Sequence, residues 1–296
     1  MRLRREESQA AWLLVAPSLL VIVTMALLPI LRAIYLSFFL KDLAVPQLGT
    51  PFVGLDNYLY ILRDSRFWTA LANTFGFTLV SVFLETALGL GLALMLNRAF
   101  TGRGLARAAI LIPWAVPTVV SAQMWRWIYN DKVGVLNDVC LRLGVLQAPY
   151  PWLASIDTAR ACVVLADVWK TTPFMALMLL AGLQMIPDSL YEAADVDGAS
   201  KVQQFFRITL PLLTPVMLVA VLFRTLDAFR IFDLVYVLTS GAFGTETLSV
   251  LTADVTFRFN DYGQGSAYAV IMFGCIMAIS YAFIKLLGAD PNAEER

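Results

Sequence analysis

Long apolar runs divided by short charged stretches set the pattern of this chain. Residues 12–31 carry no charged side chain, and the apolar character continues past Arg32 to residue 39. A bilayer core about 30 Å thick is crossed by roughly 20 helical residues at ~1.5 Å each. Six stretches meet that length: 12–39, 69–96, 108–128, 161–186, 208–236 and 266–286. The second is interrupted only by Glu85, and the fourth contains Asp167 and Lys170. The fifth is free of charge only over 208–223 and must run through Arg224, Asp227 and Arg230 to cross. Arg2, Arg4 and Arg5 precede the first run, as in a signal peptide, but the run is too long and lacks a small-residue cleavage pattern. The pattern predicts an all-α polytopic membrane protein with six transmembrane helices in one domain, residues 1–296.

Composition narrows the class. The chain is 59% hydrophobic and 15% charged, with a mean hydropathy of +0.72. A soluble domain carries nearer a quarter charged residues. Net charge is zero, and no basic patch stands on a polar domain, which argues against a nucleic-acid partner. There is no histidine, and Cys140, Cys162 and Cys275 are too scattered for a metal site or a disulfide framework. An intramembrane enzyme therefore has little to build from.

Basic residues bias the short loops. With the N-terminus inside, the inner segments hold Arg2, Arg4, Arg5, Arg98, Arg103, Arg107, Lys201, Arg207, Lys285 and Arg296. The outer loops hold Lys41, Arg63, Arg66, Lys132, Arg142, Arg160 and Arg258. That balance places both termini in the cytoplasm. It also places the segment 187–211, between the fourth and fifth spans, on the inner face.

This segment is locally well marked. Pro187 ends the preceding span, and Ser189 with Glu192 three residues on forms a capping-box pattern. Asp188, Glu192 and Asp195 suit the positive end of a helix dipole. Gly198 permits a turn, and Pro211 can occupy the first turn of the next helix. On this evidence alone an interfacial connecting helix remains open. Glu192-Ala193-Ala194, Asp197-Gly198-Ala199 and Ile208-Thr209-Leu210-Pro211, at this spacing, resemble the EAA loop of binding-protein-dependent ABC import permeases. Further matches lie at residues 168–174, 223–233 and 237–241. These are similar to MalF-like permeases of carbohydrate ABC importers, especially those of trehalose systems. One departure is Gly241-Ala242-Phe243, where many relatives have Gly-Gly-Pro.

The resemblance implies a MetI/MalF-like importer permease fold in a bacterial inner membrane. It implies a heterodimer with a second permease subunit, two ATP-binding-cassette ATPase subunits, and an extracytoplasmic solute-binding protein. The loop would be a coupling helix docking on an ATPase through Glu192, Ala193, Ala194, Asp197, Gly198 and Ala199. No phosphate-binding loop occurs in the chain, so no cofactor is expected on it; ATP and magnesium belong to the partner. The implied cargo is a disaccharide such as trehalose or maltose, with a sugar phosphate or polyol glycoside as the alternative.

Charges inside spans face cavities or partners. At about 100° per residue, Arg224, Asp227, Ala228 and Ile231 share a face of the fifth span. Lys170, Thr171 and Phe174 share a sector of the fourth. A sugar needs directional donors and acceptors beside an apolar platform, and these residues supply both. Relatives bind sugar from the corresponding helices, so these seven are the candidate substrate contacts. The competing reading is an ion-pair ladder holding helices together, and Glu85 and Asp167 are expected to pair structurally. An ion-driven secondary transporter also explains buried charge, but it gives no reason for the 187–211 pattern.

Overall fold

The computed structural model describes residues 2–286, with side chains over 12–285. The side chains of Arg2, Arg4 and Arg5, and the whole of Arg296, on which part of the expected orientation rests, lie outside the described residues. The residues divide into two compact units. One comprises the residues up to Ser65 together with Thr252–Gly274; the other comprises Arg66–Leu251 and the stretch from Cys275.

The first unit opens with α1 (Arg2–Ile22), a π-turn over Val23–Leu27, and α2 (Leu28–Leu36). Pro29 lacks an N–H, and the Thr24 hydroxyl donates to the Leu20 carbonyl at 2.7 Å, so the ladder loosens here without breaking. Trp12–Leu36 is apolar and has no buried residue in its most apolar stretch, as suits a helix whose solvent is lipid or another protein. α3 (Asp56–Arg63) packs back on the end of α2, where the Asn57 amide donates to the Ser37 carbonyl at 2.8 Å.

The second unit is built on α4 (Ser65–Asn97), followed by α5 (Arg103–Ala115), α6 (Thr118–Ile128) and α7 (Val135–Arg142). Next come α8 (Ile156–Leu183), α9 (Asp188–Val196), α10 (Lys201–Gln204), α11 (Leu210–Phe229), α12 (Asp233–Thr239) and α13 (Leu248–Ala253). α14 (Tyr262–Leu286) starts in the first unit and ends in the second. Among the described residues five helical runs are long and apolar enough to cross a membrane; α5 with α6 makes a sixth if counted as one bent span.

Two expected spans are interrupted. The stretch 108–128 is not one helix: α5 and α6 meet at 89°. Pro117 removes an N–H and disfavours helical backbone at Val116, which lies extended at φ −71, ψ 131. The stretch 208–236 is also not continuous. Its helix ends at Phe229, and α12 begins after a break at Arg230–Phe232. The Ile231 carbonyl, freed by the break, accepts from the Thr247 hydroxyl at 3.1 Å, so the break is satisfied by a loop. At its other end this helix starts early, running without a gap from Lys201 to Phe229.

α8 is the axis of the unit. Cys162, Val163 and Ala166 pack with Ala122, Tyr129, Leu234, Val235 and Leu238, near one end. Leu179, Leu180 and Leu183 pack with Ala93, Leu96 and Leu213 near the other. Between these two apolar clusters lie Asp167, Lys170 and Thr171. Gly89 lets α4 approach α8 closely, since a Cβ there would sit 2.7 Å from the Met175 Cβ. Gly182 does the same against Leu213 on α11. Gly91, on the same helix, has nothing within 4 Å of an added Cβ.

Candidate functional site

The polar middle of α8 meets α11 at a buried charge cluster. The Arg224 side chain is 3% exposed and projects between α4 and α8. Its Nε donates to Glu85 Oε2 at 2.5 Å and its Nη2 to Glu85 Oε1 at 3.0 Å, a two-point contact suited to an ionised carboxylate. Nη2 also pairs with Asp167, and Nη1 donates to Asp227 Oδ2 at 3.0 Å. Glu85 Oε1 further accepts from the Thr171 hydroxyl at 2.7 Å. One guanidinium thus ties α4, α8 and α11 together. Its five donors are nearly all engaged, and an aliphatic side chain of the same length could not replace it.

A cavity of about 170 Å³ opens beside this cluster. It is lined by Trp114, Thr118, Asp167, Lys170, Thr171 and Arg224, and further by Asp227, Arg230, Ile231, Phe232, Asp233 and Leu234. Asp227 keeps 67% of its side chain exposed, although it pairs with Arg224. Lys170 is largely buried, yet among the described residues its ammonium has no hydrogen-bond or ion-pair partner. The cavity therefore presents acceptor capacity at Asp227 and donor capacity at Lys170.

Of the candidate substrate contacts, Lys170, Thr171, Arg224, Asp227 and Ile231 line this cavity. Ala228 is buried away from it, and Phe174 stands behind it, stacked on Trp114 with ring centroids 6.4 Å apart. Arg224 is placed as a tie between helices rather than as a free donor. Glu85 and Asp167 pair with it, as their isolation in apolar spans suggests. Sequence reasoning passed over Trp114 and Thr118, which reach the cavity because the chain bends between them. The signal was Pro117, which falls inside the apolar run.

A larger hollow of about 810 Å³ lies between α4 and α8. Phe77, Val80, Leu84 and Leu88 of α4 face Val164, Leu165 and Val168 of α8 across it. Its polar rim is already paired: Arg160 donates to the Asn73 side chain at 2.9 Å and to the Gly244 carbonyl at 2.8 Å.

At the opposite end of α11 sits the segment that includes Glu192, Ala193, Ala194, Asp197, Gly198 and Ala199. Glu192, Ala193, Asp197 and Gly198 are exposed, and Ala194 and Ala199 are half-buried. Gly198 turns the chain at φ 74, a conformation that favours glycine. The predicted capping box does not form. Extended Pro187 takes the N-cap position, so Ser189 already lies in the first turn of α9. A capping box occurs instead at α10, between Ser200 and Gln203. Asp195 accepts from Lys201 Nζ at 2.8 Å and from the Gln204 amide at 2.5 Å, and these donors hold its carboxyl below the usual range.

The chain matches the family described as "Binding-protein-dependent transport system inner membrane component" over residues 85–290. It is 45% identical over 286 residues to the trehalose/maltose transport system permease protein MalF of Thermococcus litoralis, covering 96% of each chain. It is 45% identical over 292 residues to the trehalose transport system permease protein SugA of Mycobacterium tuberculosis, covering 99% of this chain and 93% of that one. Its fold matches the crystal structure of a bacterial ABC transporter involved in the import of the acidic polysaccharide alginate, with a TM-score of 0.83 at 22% identity. That match covers 98% of this chain and 99% of the other.

Proposed function

This chain belongs to the binding-protein-dependent transport system inner membrane components, and from that premise we propose that it forms half of the pathway by which an uncharged disaccharide enters the cell. A transport permease is not itself an enzyme. The observation that carries the cargo reading is the polar cavity beside the middle of α8, lined by the exposed Asp227 carboxylate and by the Lys170 ammonium, which has no hydrogen-bond or ion-pair partner among the described residues. A carboxylate accepts from sugar hydroxyls and an ammonium donates to them, while Trp114 and Ile231 offer apolar surface to a ring face. Trehalose or maltose is the cargo favoured by the two relatives that share 45% of the sequence.

Pockets that enclose small ligands measure about 300–1,000 Å³, so a cavity of about 170 Å³ suits a site completed by another subunit. A second permease subunit supplies the remainder. Two ATPase subunits, which hold ATP and magnesium, dock on the exposed α9–Gly198 segments through Glu192, Ala193, Ala194, Asp197, Gly198 and Ala199. An extracytoplasmic binding protein delivers the sugar. No cofactor is assigned to this chain, and both its termini are placed in the cytoplasm. ATP binding draws the docked segments together and turns the cavity outward; hydrolysis resets it.

The test is uptake of labelled trehalose and maltose by proteoliposomes containing the whole complex with its binding protein. ATP-dependent accumulation of either sugar is expected, and Glu192→Lys with Gly198→Pro should abolish it along with ATPase copurification. Accumulation without ATP would overturn the reading. Lys170 gives a second cargo some support, because an unpaired cation also suits a sugar phosphate. Competition by a sugar phosphate stronger than by trehalose would select that cargo instead.

A further inference from the structure

The exposed segment and the cavity lie at opposite ends of one helical run, Lys201–Phe229. From Lys201 to Asp227 this run measures about 39 Å at ~1.5 Å per residue. α9, which carries Glu192, is not part of it. A push on α9 therefore reaches the α11 side of the cavity through the short link Asp197–Ser200 and through whatever side chains fasten α9 to the run.

Two fastenings are present. The first is Asp195 with Lys201 and Gln204, whose ion pair is exposed, at 54% and 78% for its two side chains. Exposed pairs are screened and hold little. The second is a hydrogen bond of 2.9 Å between the Tyr191 hydroxyl and the Thr209 hydroxyl. Thr209 is 5% exposed, and Tyr191 and Ile208 both pack on the apolar cluster that includes Leu183, Ile186 and Leu213. The second fastening is the sheltered one.

Its position adds to its effect. Thr209 ends a π-turn over Phe205–Thr209, in which the Leu210 N–H reaches back to the Phe205 carbonyl. Such a turn is one residue looser than α-helix and is a natural point of bending or slipping. Pro211 follows and cannot donate to the ladder, so the weak stretch extends into the first turn of α11. Thr209 also donates to the Gln204 carbonyl at 3.5 Å, across the same turn. The tie from α9 thus lands on the softest part of the run.

We propose that Tyr191 and Thr209 are positioning residues that transmit movement of α9 across the π-turn into α11, and so to Asp227. The proposal rests on the coupling role given above to the α9 segment. Without the hydroxyl pair, α9 can move on its docked ATPase while the π-turn absorbs the displacement. ATP is then spent without moving sugar.

The experiment uses the whole complex in proteoliposomes and reads ATP hydrolysed per sugar transported. Tyr191→Phe and Thr209→Val should each raise that ratio about threefold to tenfold, the scale of one sheltered hydrogen bond. ATPase copurification and basal hydrolysis should be unchanged, and Thr209→Ser, which keeps the hydroxyl, should stay within about twofold of the parent. An unchanged ratio in both variants overturns the proposal. So does loss of ATPase copurification in the variants, which would make the pair part of the docking surface. Failure of the unsubstituted complex to bind an ATPase would instead reject the coupling role itself.

Discussion

The two hollows flanking α8 belong to the same unit, yet their sizes and chemistry run in opposite directions. The larger, about 810 Å³, is walled by Phe77, Leu84, Leu88 and Val168, and its rim arginine, Arg160, is tied to Asn73 and Gly244. The smaller, about 170 Å³, contains a carboxylate and an ammonium with capacity to spare. Volume alone would choose the first. Within a bilayer, however, an apolar concavity is satisfied by acyl chains, because lipid is as apolar as leucine. Polar groups at that depth are costly, so their unspent capacity is the stronger sign of a ligand.

The comparison can be broken by substitution. Glu85→Ala leaves the Arg224 charge buried with reduced compensation and should destabilise the protein by about 3–5 kcal/mol. Leu84→Ala, one residue away and facing the larger hollow, should cost less than about 1 kcal/mol, since its side chain is already part-exposed. Thermal denaturation of the purified complex checks both, and equal losses would erase the distinction. Asp227→Asn should lower uptake about tenfold or more while assembly survives, because its side chain contributes only one largely exposed ion pair to the fold. Lys170→Met should lower uptake by roughly threefold to tenfold, read as a higher sugar concentration at half-maximal uptake. Leu88→Ala in the larger hollow should change uptake less than about twofold; a larger loss would move the sugar path to that side.

Much of this was legible in the sequence, because bilayer thickness makes a spanning helix an unambiguous pattern. The charges of the fifth run, its face with Arg224 and Asp227, and the sector with Lys170 and Thr171 follow from helical period alone. What the period could not give was pairing between distant helices. Nothing local tells that Glu85 and Asp167 both meet Arg224, so Arg224 looked like a ligand when most of its donors were already taken. The helix breaks at Val116–Pro117 and Arg230–Phe232 were missed for a related reason. Hydropathy sums over a window and is blind to direction, so a bend that brings Trp114 and Thr118 to the cavity reads as one uninterrupted span.

The Glu85–Arg224 pair has a consequence for how the chain is made. The two residues are 139 positions apart, and the acid is synthesised first. At about 5–20 residues per second, α4 waits roughly 7–28 s in the membrane before its cation exists. During that interval a lone acid at mid-helix costs on the order of 2.5–3.5 kcal/mol by insertion scales, offset by the long apolar remainder of α4 or removed by taking up a proton. A nascent chain halted before residue 224 should therefore be an early target for membrane quality-control proteases, and Glu85→Gln should lengthen its lifetime. The residue that finally locks three helices together is thus also a timer, marking every unfinished copy as unfinished.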